Sequence, residues 1–188
     1  MQTPPGYRLR QELMDADRLR RTLARIAHEI VERHPDPSDV ILVGIRSRGV
    51  PLARRLAGLI RETAGLEPPV GALDITLYRD DLETVGPKPL VGETHLPVDL
   101  DGRHVWIVDD VLFTGRTVRA ALQELTDFGR PSRIGLAVLV DRGGRELPIQ
   151  ADVAGTTVAT RPGDRVEVFV TELDGRDAVE VARGGGRP

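Results

Sequence analysis

The sequence predicts an α/β fold: a mainly parallel central sheet flanked by helices. Three observations carry that expectation. Short apolar runs at Val40–Ile45, His104–Val108 and Ile134–Val140 have the length of strands buried on both faces. Stretches with apolar residues at helical spacing lie between them. The chain has 188 residues, 40% hydrophobic and 29% charged, enough for one domain with a real core.

Taken in order, Met1–Tyr7 holds Pro4-Pro5-Gly6 and is expected to fray, as are the three glycines within Arg183–Pro188. Asp15 or Asp17 can cap a first helix that runs to about His34, where Pro35 and Pro37 stop it. Its apolar positions are Leu19, Leu23, Ile26, Ala27, Ile30 and Val31. After the strand Val40–Ile45, Gly49-Val50-Pro51 opens a second helix, with Gly65 as its stop. Val70–Tyr78 alternates like a strand. Arg79–Pro97 carries three prolines, two glycines and no period, the mark of a functional flap. His104–Val108 is the next strand, followed by a loop and a helix from about Gly115 to Phe128. Ile134–Val140 is a further buried strand, and Val153–Ala159, Val166–Thr171 and Ala178–Val181 read as shorter late strands. Strands that alternate with helices place ligands at the carboxyl ends of the sheet.

Composition narrows the function. No cysteine occurs, so disulfides and thiolate metal sites are excluded, in keeping with a reducing cytoplasm. No stretch has the apolar length of a signal peptide or a membrane span. The net charge of −3 and an aromatic content of 3% restrict any nucleic-acid role to a local basic patch.

The most informative segment is Val105-Trp-Ile-Val-Asp-Asp-Val-Leu-Phe-Thr-Gly-Arg-Thr117. An apolar strand runs out into Asp109 and Asp110, two carboxylates that point to opposite sides. Thr114-Gly115-Arg116-Thr117 then turns into a helix, whose free N–H groups and partial positive charge suit an anion. A phosphomonoester in that cup, with vicinal hydroxyls on the carboxylates, is one ribose 5-phosphate. No Gly-Lys-Ser/Thr occurs, which disfavours a nucleotide P-loop. Gly44-Ile-Arg-Ser-Arg-Gly49 is a second small cationic strand-to-helix turn.

The long segment resembles the phosphoribosyl pyrophosphate signature of type I phosphoribosyltransferases. That resemblance implies their fold, with a small hood and a flexible loop at 79–97, in a single domain spanning 1–188. It also implies that Asp109 and Asp110 hold the ribose hydroxyls and that Thr114, Gly115, Arg116 and Thr117 take the 5-phosphate, with Val111, Leu112 and Phe113 between them also binding substrate. Ser47 and Arg48 match positions that contact pyrophosphate, often through a non-proline cis peptide, and Arg79 would neutralise the leaving group. With Asp74–Leu82 and Val140–Ile149, the chain is similar to the pyrimidine operon regulators of this family that are also uracil phosphoribosyltransferases. By that resemblance Arg142 and Val166 border the base, and magnesium arrives mainly on phosphoribosyl pyrophosphate, with no protein metal cage. Relatives usually carry histidine where this chain has Gly144. A transferase for another base, such as a purine, and a nucleotide-sensing RNA regulator with vestigial catalysis are the competing readings.

The resemblance further implies an RNA hairpin as partner, UMP as effector, and a dimer or tetramer. On the first helix Arg18, Arg21, Arg25 and His28 form one stripe away from the apolar face. Arg21, Arg25, His28 and Arg33 are the expected RNA contacts. Ala24 replaces a threonine common in relatives, and Gly155-Thr156-Thr157 lacks their lysine.

Overall fold

The computed structural model describes residues 7–34, 36–78 and 93–184. The elements in order are β1 (Tyr7–Met14), α1 (Ala16–Arg33), β2 (Val40–Ile45), α2 (Gly49–Ala64) and β3 (Val70–Leu73), then β4 (His104–Leu112), α3 (Arg116–Phe128) and β5 (Arg133–Asp141). They continue with β6 (Val153–Thr157), β7 (Arg165–Phe169), the short α4 (Thr171–Asp174) and β8 (Ala178–Gly184). Among the described residues a five-stranded sheet runs β3-β2-β4-β5-β6, parallel at every pairing, and a three-stranded antiparallel sheet runs β1-β8-β7. The α/β expectation holds, and the small second sheet is the hood.

Each helix follows from its sequence. Asp15, not Asp17, caps α1, accepting from the Arg18 N–H at 2.7 Å. Leu19, Leu23, Ile26 and Ile30 are its buried stripe. Gly65, at φ 73°, closes α2 and returns its N–H to the Arg61 carbonyl. Together α1 and α2 cover one face of the main sheet through Leu52, Leu56, Ile60, Trp106 and Val108. On the other face α3 packs Val118, Ala121 and Leu125 against Ile41, Val43 and Ile107. Truncating one of these aliphatic side chains to alanine costs about 2–5 kcal/mol.

The structure corrects several expected boundaries. β1 lies where the chain was expected to fray or lead into a helix. Polar residues hide it: Arg10 pairs across the hood with Glu180 at 2.6 Å and Glu167 at 3.0 Å, so its strand signal is ionic, not apolar. Arg183 and Gly184 are ordered into β8, both bonded to the Asp164 carboxylate. The strand expected over Val70–Tyr78 stops at Leu73. Asp74 accepts from the backbone N–H and hydroxyl of Thr76 and winds Ile75–Tyr78 into a 3-10 turn. Of the flap expected at 79–97, residues 79–92 lie outside the described set. His95 exchanges two 2.8 Å backbone hydrogen bonds with Ala72, so the segment is already tied down there.

The largest correction concerns β4. It does not end at the two aspartates but runs on to Leu112, because β5 is equally long and pairs it out to Asp141. Its other neighbour, β2, pairs only as far as Gly44 opposite Val108. Beyond Val108, β4 therefore has a partner on one side alone, and a cleft opens over the missing strand.

Candidate active site

That cleft is a cavity of about 540 Å³ lined by Ile45, Arg46, Ser47, Asp74, Ile75, Thr76, Asp109, Asp110, Val111 and Thr117. Three sequence-remote segments converge on it: the turn after β2, the Asp74 turn after β3, and the end of β4 with the start of α3. The turn after β2 contains a cis peptide between Arg46 and Ser47. It can sit against the sheet because two glycines leave room. A Cβ on Gly44 would fall 2.4 Å from the Gly49 carbonyl oxygen, and one on Gly49 would fall 2.3 Å from that of Val108.

Asp109 is 7% exposed and Asp110 half-buried. The Asp109 carboxylate accepts from the Asp110 N–H at 3.0 Å, and that of Asp110 from the Val111 N–H at 2.9 Å. Among the described residues neither forms a salt bridge within 4.0 Å. Burial, then the neighbouring Asp110 charge, pushes the Asp109 carboxyl well above the usual carboxylate range. Burial raises Asp110 too, against backbone donors and the positive charge of Arg48. Asp109 and Asp110 thus make this part of the cleft rich in acceptors.

The loop after β4 is prepared in the opposite sense. The carbonyls of Leu112, Phe113 and Thr114 are all occupied from outside: by the Arg142 N–H, by Arg145 Nη1, and by the N–H groups of Glu146 and Leu147. With its carbonyls held by the β5–β6 loop, the turn leaves the N–H groups of Thr114, Gly115 and Thr117 without an acceptor among the described residues. Gly115 caps α3 at φ 91°. Such a set of donors at a helix N-terminus is suited to an anion.

The expected site residues divide. Ser47, Asp109, Asp110, Val111 and Thr117 line the cavity; Thr114, Gly115 and Arg116 continue its loop, with Arg116 paired to Glu146 at 2.7 Å. Arg48 stands at the N-terminus of α2 with Nη2 on Asp174 at 2.9 Å. Leu112 belongs to the core, 2% exposed, and offers a ligand only its backbone. Phe113 and Arg142 lie outside the cavity lining and stack on each other, guanidinium carbon 3.8 Å from the ring centre. Arg142 also donates to the Asp164 carbonyl, two residues from the half-buried Val166 on β7. Arg79 lies outside the described residues. Arg46, from the cationic turn read in the sequence, and Asp74, Ile75 and Thr76 line the cavity without having been named as site residues; for the last three the Asp-x-Thr spacing after a short strand was the available signal. Away from the cleft, Arg21, Arg25, His28 and Arg33 are exposed on α1. Arg25 ties the helix to the edge strand β6, donating to the Ala154 and Gly155 carbonyls and pairing with Glu29.

The phosphoribosyl transferase domain family matches residues 10–174. The Bifunctional protein PyrR of Chloroflexus aurantiacus is 59% identical over 174 residues, 93% of this chain and 96% of that protein. The protein of the same name from Thermus thermophilus is 58% identical over the same shares. The chain belongs to the PyrR family of phosphoribosyltransferases. Solved structures agree on the fold. A hypoxanthine-guanine phosphoribosyltransferase from Bacillus anthracis superposes with a TM-score of 0.70 at 15% identity, over 92% of this chain and 97% of that one. The Trypanosoma cruzi hypoxanthine phosphoribosyltransferase gives 0.71 at 18%, over 92% and 94%.

Within the PyrR family framework Gly144 acquires a structural meaning. Its φ is 74°, and a Cβ there would lie 2.5 Å from the Phe113 ring. The Phe113–Arg142 stack depends on that missing side chain.

Proposed function

We propose that the cleft transfers the phosphoribosyl group of phosphoribosyl pyrophosphate to uracil, giving UMP and pyrophosphate, and that the chain is also a UMP-responsive RNA-binding regulator of pyrimidine genes. The observation that carries the catalytic reading is the convergence, in one cavity, of the Arg46–Ser47 turn, the Asp109–Asp110 pair and Thr117, at the end of the donor-rich loop. The three match the three parts of the donor: pyrophosphate, ribose hydroxyls and 5-phosphate.

The sugar carbon loses pyrophosphate and gains the base nitrogen, so positive charge develops on the ring and negative charge on the leaving group. The loop amides and Thr117 hold the 5-phosphate, which fixes the ribose. Asp109 and Asp110 take the hydroxyls, orient the ring and place negative charge beneath the developing cation. Arg48 and the turn N–H groups receive the departing pyrophosphate. Neither carboxylate forms a salt bridge among the described residues, a donor set that fits a cation; Asp109 and Asp110 would help to hold magnesium arriving with the substrate, which would neutralise phosphate charge there. Among the described residues no group of three or more His, Cys, Asp or Glu is placed to hold a metal by itself. The Phe113–Arg142 stack and Val166 flank the base.

Purified protein with labelled uracil, phosphoribosyl pyrophosphate and magnesium should yield UMP. Turnover of hypoxanthine in place of uracil would refute the base assignment.

For regulation, the exposed Arg21, Arg25, His28 and Arg33 beside edge strand β6 offer a basic surface to an RNA hairpin. Binding should weaken with salt and tighten with UMP, which links the two sites. Because Arg25 also fastens α1 to β6, Arg21→Glu is the cleaner test. It should abolish the gel shift with the leader of the organism's own pyrimidine operon while UMP synthesis continues; an unchanged shift would remove α1 from the RNA surface. No helix among the described residues is long and apolar enough to cross a membrane.

A further inference from the structure

Two arginines on α2 reach out of the main domain into the corner of the hood formed by α4 and the start of β8. Arg55 makes paired contacts to Glu172, at 2.6 and 2.8 Å, and to Asp177, at 2.8 and 2.9 Å. Asp177 in turn accepts from the backbone N–H and hydroxyl of Thr171. Seven residues earlier on the same helix, Arg48 Nη2 donates to Asp174 Oδ1 at 2.9 Å, and the other oxygen of Asp174 accepts from the Val170 N–H at 2.9 Å. Asp174 therefore sits on a corner that Arg55 holds rigid, and from there it grips the arginine next to the Arg46–Ser47 turn.

The way it grips matters. Asp174 engages Arg48 at one terminal nitrogen only. Arg48 stands next to the cavity-lining Ser47 without lining the cavity itself; its Nε is buried, its side chain is 36% exposed, and its charge already acts on Asp110 at the cleft floor. A free arginine samples many rotamers, and an anion that must fix one loses affinity in doing so. Here the rotamer is set before any ligand arrives, and the other terminal nitrogen, with no partner among the described residues, is left for a phosphate oxygen.

We propose that Asp174 is a positioning residue for pyrophosphate: acting through Arg48, it holds that guanidinium ready for the diphosphate of the substrate and product. This rests on the transferase reading above and deepens it. The same contact makes the pyrophosphate turn and the hood share one ion pair.

The test compares wild type with Asp174→Asn, Asp174→Glu and Glu172→Gln. The readouts are KM for phosphoribosyl pyrophosphate, the calorimetric Kd of inorganic pyrophosphate with magnesium, the Kd of UMP, and thermal midpoint. Asp174→Asn should raise the first two about tenfold, a coupling of about 1.4 kcal/mol, and leave UMP, which has no diphosphate, within twofold. Asp174→Glu should restore part of the loss. Glu172→Gln weakens the hood clamp without touching Arg48 and should change only the thermal midpoint. In an Arg48→Gln background, Asp174→Asn should have no further effect on pyrophosphate. The inference is overturned if Asp174→Asn leaves pyrophosphate binding unchanged, if it weakens UMP equally, or if its effect persists without Arg48. Wild-type protein that makes UMP but binds no pyrophosphate overturns it as well. If wild type makes no UMP, the transferase reading fails separately, while the pyrophosphate titrations still decide the role of Asp174.

Discussion

β4 carries a buried polar set at each end, and the two ends are satisfied to opposite degrees. At the start of the strand Trp106 Nε1 donates to His34 Nε2 at 2.8 Å, and His34 Nδ1 meets His104 Nδ1 at 2.7 Å. An indole N–H can only donate, so His34 Nε2 must accept and its proton sits on Nδ1. His104 Nδ1 then accepts from it. Each atom in the chain has one partner and one role. Five residues along the same strand, Asp109 and Asp110 crowd like charges together with no cation bonded to them among the described residues. The satisfied end shows what this fold does with a buried polar group when stability is the only requirement. The unsatisfied end departs from that pattern, as it should if the substrate of the proposed reaction completes it.

The largest effect should come from Asp109→Asn. Losing a charge-assisted contact to the ribose costs about 1.5–3 kcal/mol, roughly 10- to 150-fold in kcat/KM. The same change removes a disfavoured buried charge, so the thermal midpoint at neutral pH should rise. A fall in midpoint would mean that the pair is satisfied in the free protein, and the contrast between the two ends would collapse.

Trp106→Phe should do the reverse. It leaves His34 without its donor and costs about 1–3 kcal/mol of stability, or about 2–4 °C per kcal/mol in a chain of this size. UMP synthesis by the folded fraction should not change. A loss of kcat at temperatures well below the midpoint would show that the two ends communicate.

Next in size are the phosphate contacts. Thr117→Ala and Arg116→Ala should weaken phosphoribosyl pyrophosphate and UMP alike, since both carry the 5-phosphate. Calorimetry with UMP checks this, and Thr117 should lose more, because Arg116 is partly engaged by Glu146.

The smallest effect is also the most diagnostic, because pH moves the ends in opposite directions. Burial lowers the His34 pKa below 6.5, helped by unfavourable electrostatic interactions with His104, Arg133 and Arg33. Its contribution is therefore complete above the unfolded value and is lost as pH falls through the lowered folded one. The Asp109 carboxyl is raised, so the folded chain holds that proton more tightly than the unfolded chain, and stability from this group grows as pH falls. In Asp109→Asn, denaturation midpoints should drop more steeply between pH 7 and pH 5 than in wild type. In Trp106→Phe the acid sensitivity from His34 should shrink. Parallel pH profiles for all three proteins would contradict the assignment.

How much of this was legible beforehand follows from where the signals lie. Val40–Ile45 and the α1 stripe were readable because each is local and periodic. The phosphate loop was readable because carboxylates, glycine and hydroxyls fall within one contiguous stretch. β1 was missed because its stabilising partners, Glu167 and Glu180, are more than 150 positions away. The extent of β4 was missed for a related reason: Val111 and Leu112 are strand only because Val140 and Asp141 lie beside them. Asp74 and Thr76 stayed hidden because their turn broke an alternation that otherwise continued to Tyr78. The Asp174–Arg48 contact joins residues 126 apart, and no local pattern announces it.

The pairing of β1 with β8 imposes an order in time. The central sheet closes with β6, so its strands are all available once residue 157 has been made. The hood is different: β7 and β1 each pair with β8, and neither has its neighbour until Ala178–Gly184 has been made. During synthesis β1 waits through most of the chain for its partner, an arrangement of long sequence separation that slows folding. Chains cut short between Thr157 and Ala178 would thus retain all five strands of the central sheet and the residues that line the cleft, and lose β8, on which the hood depends.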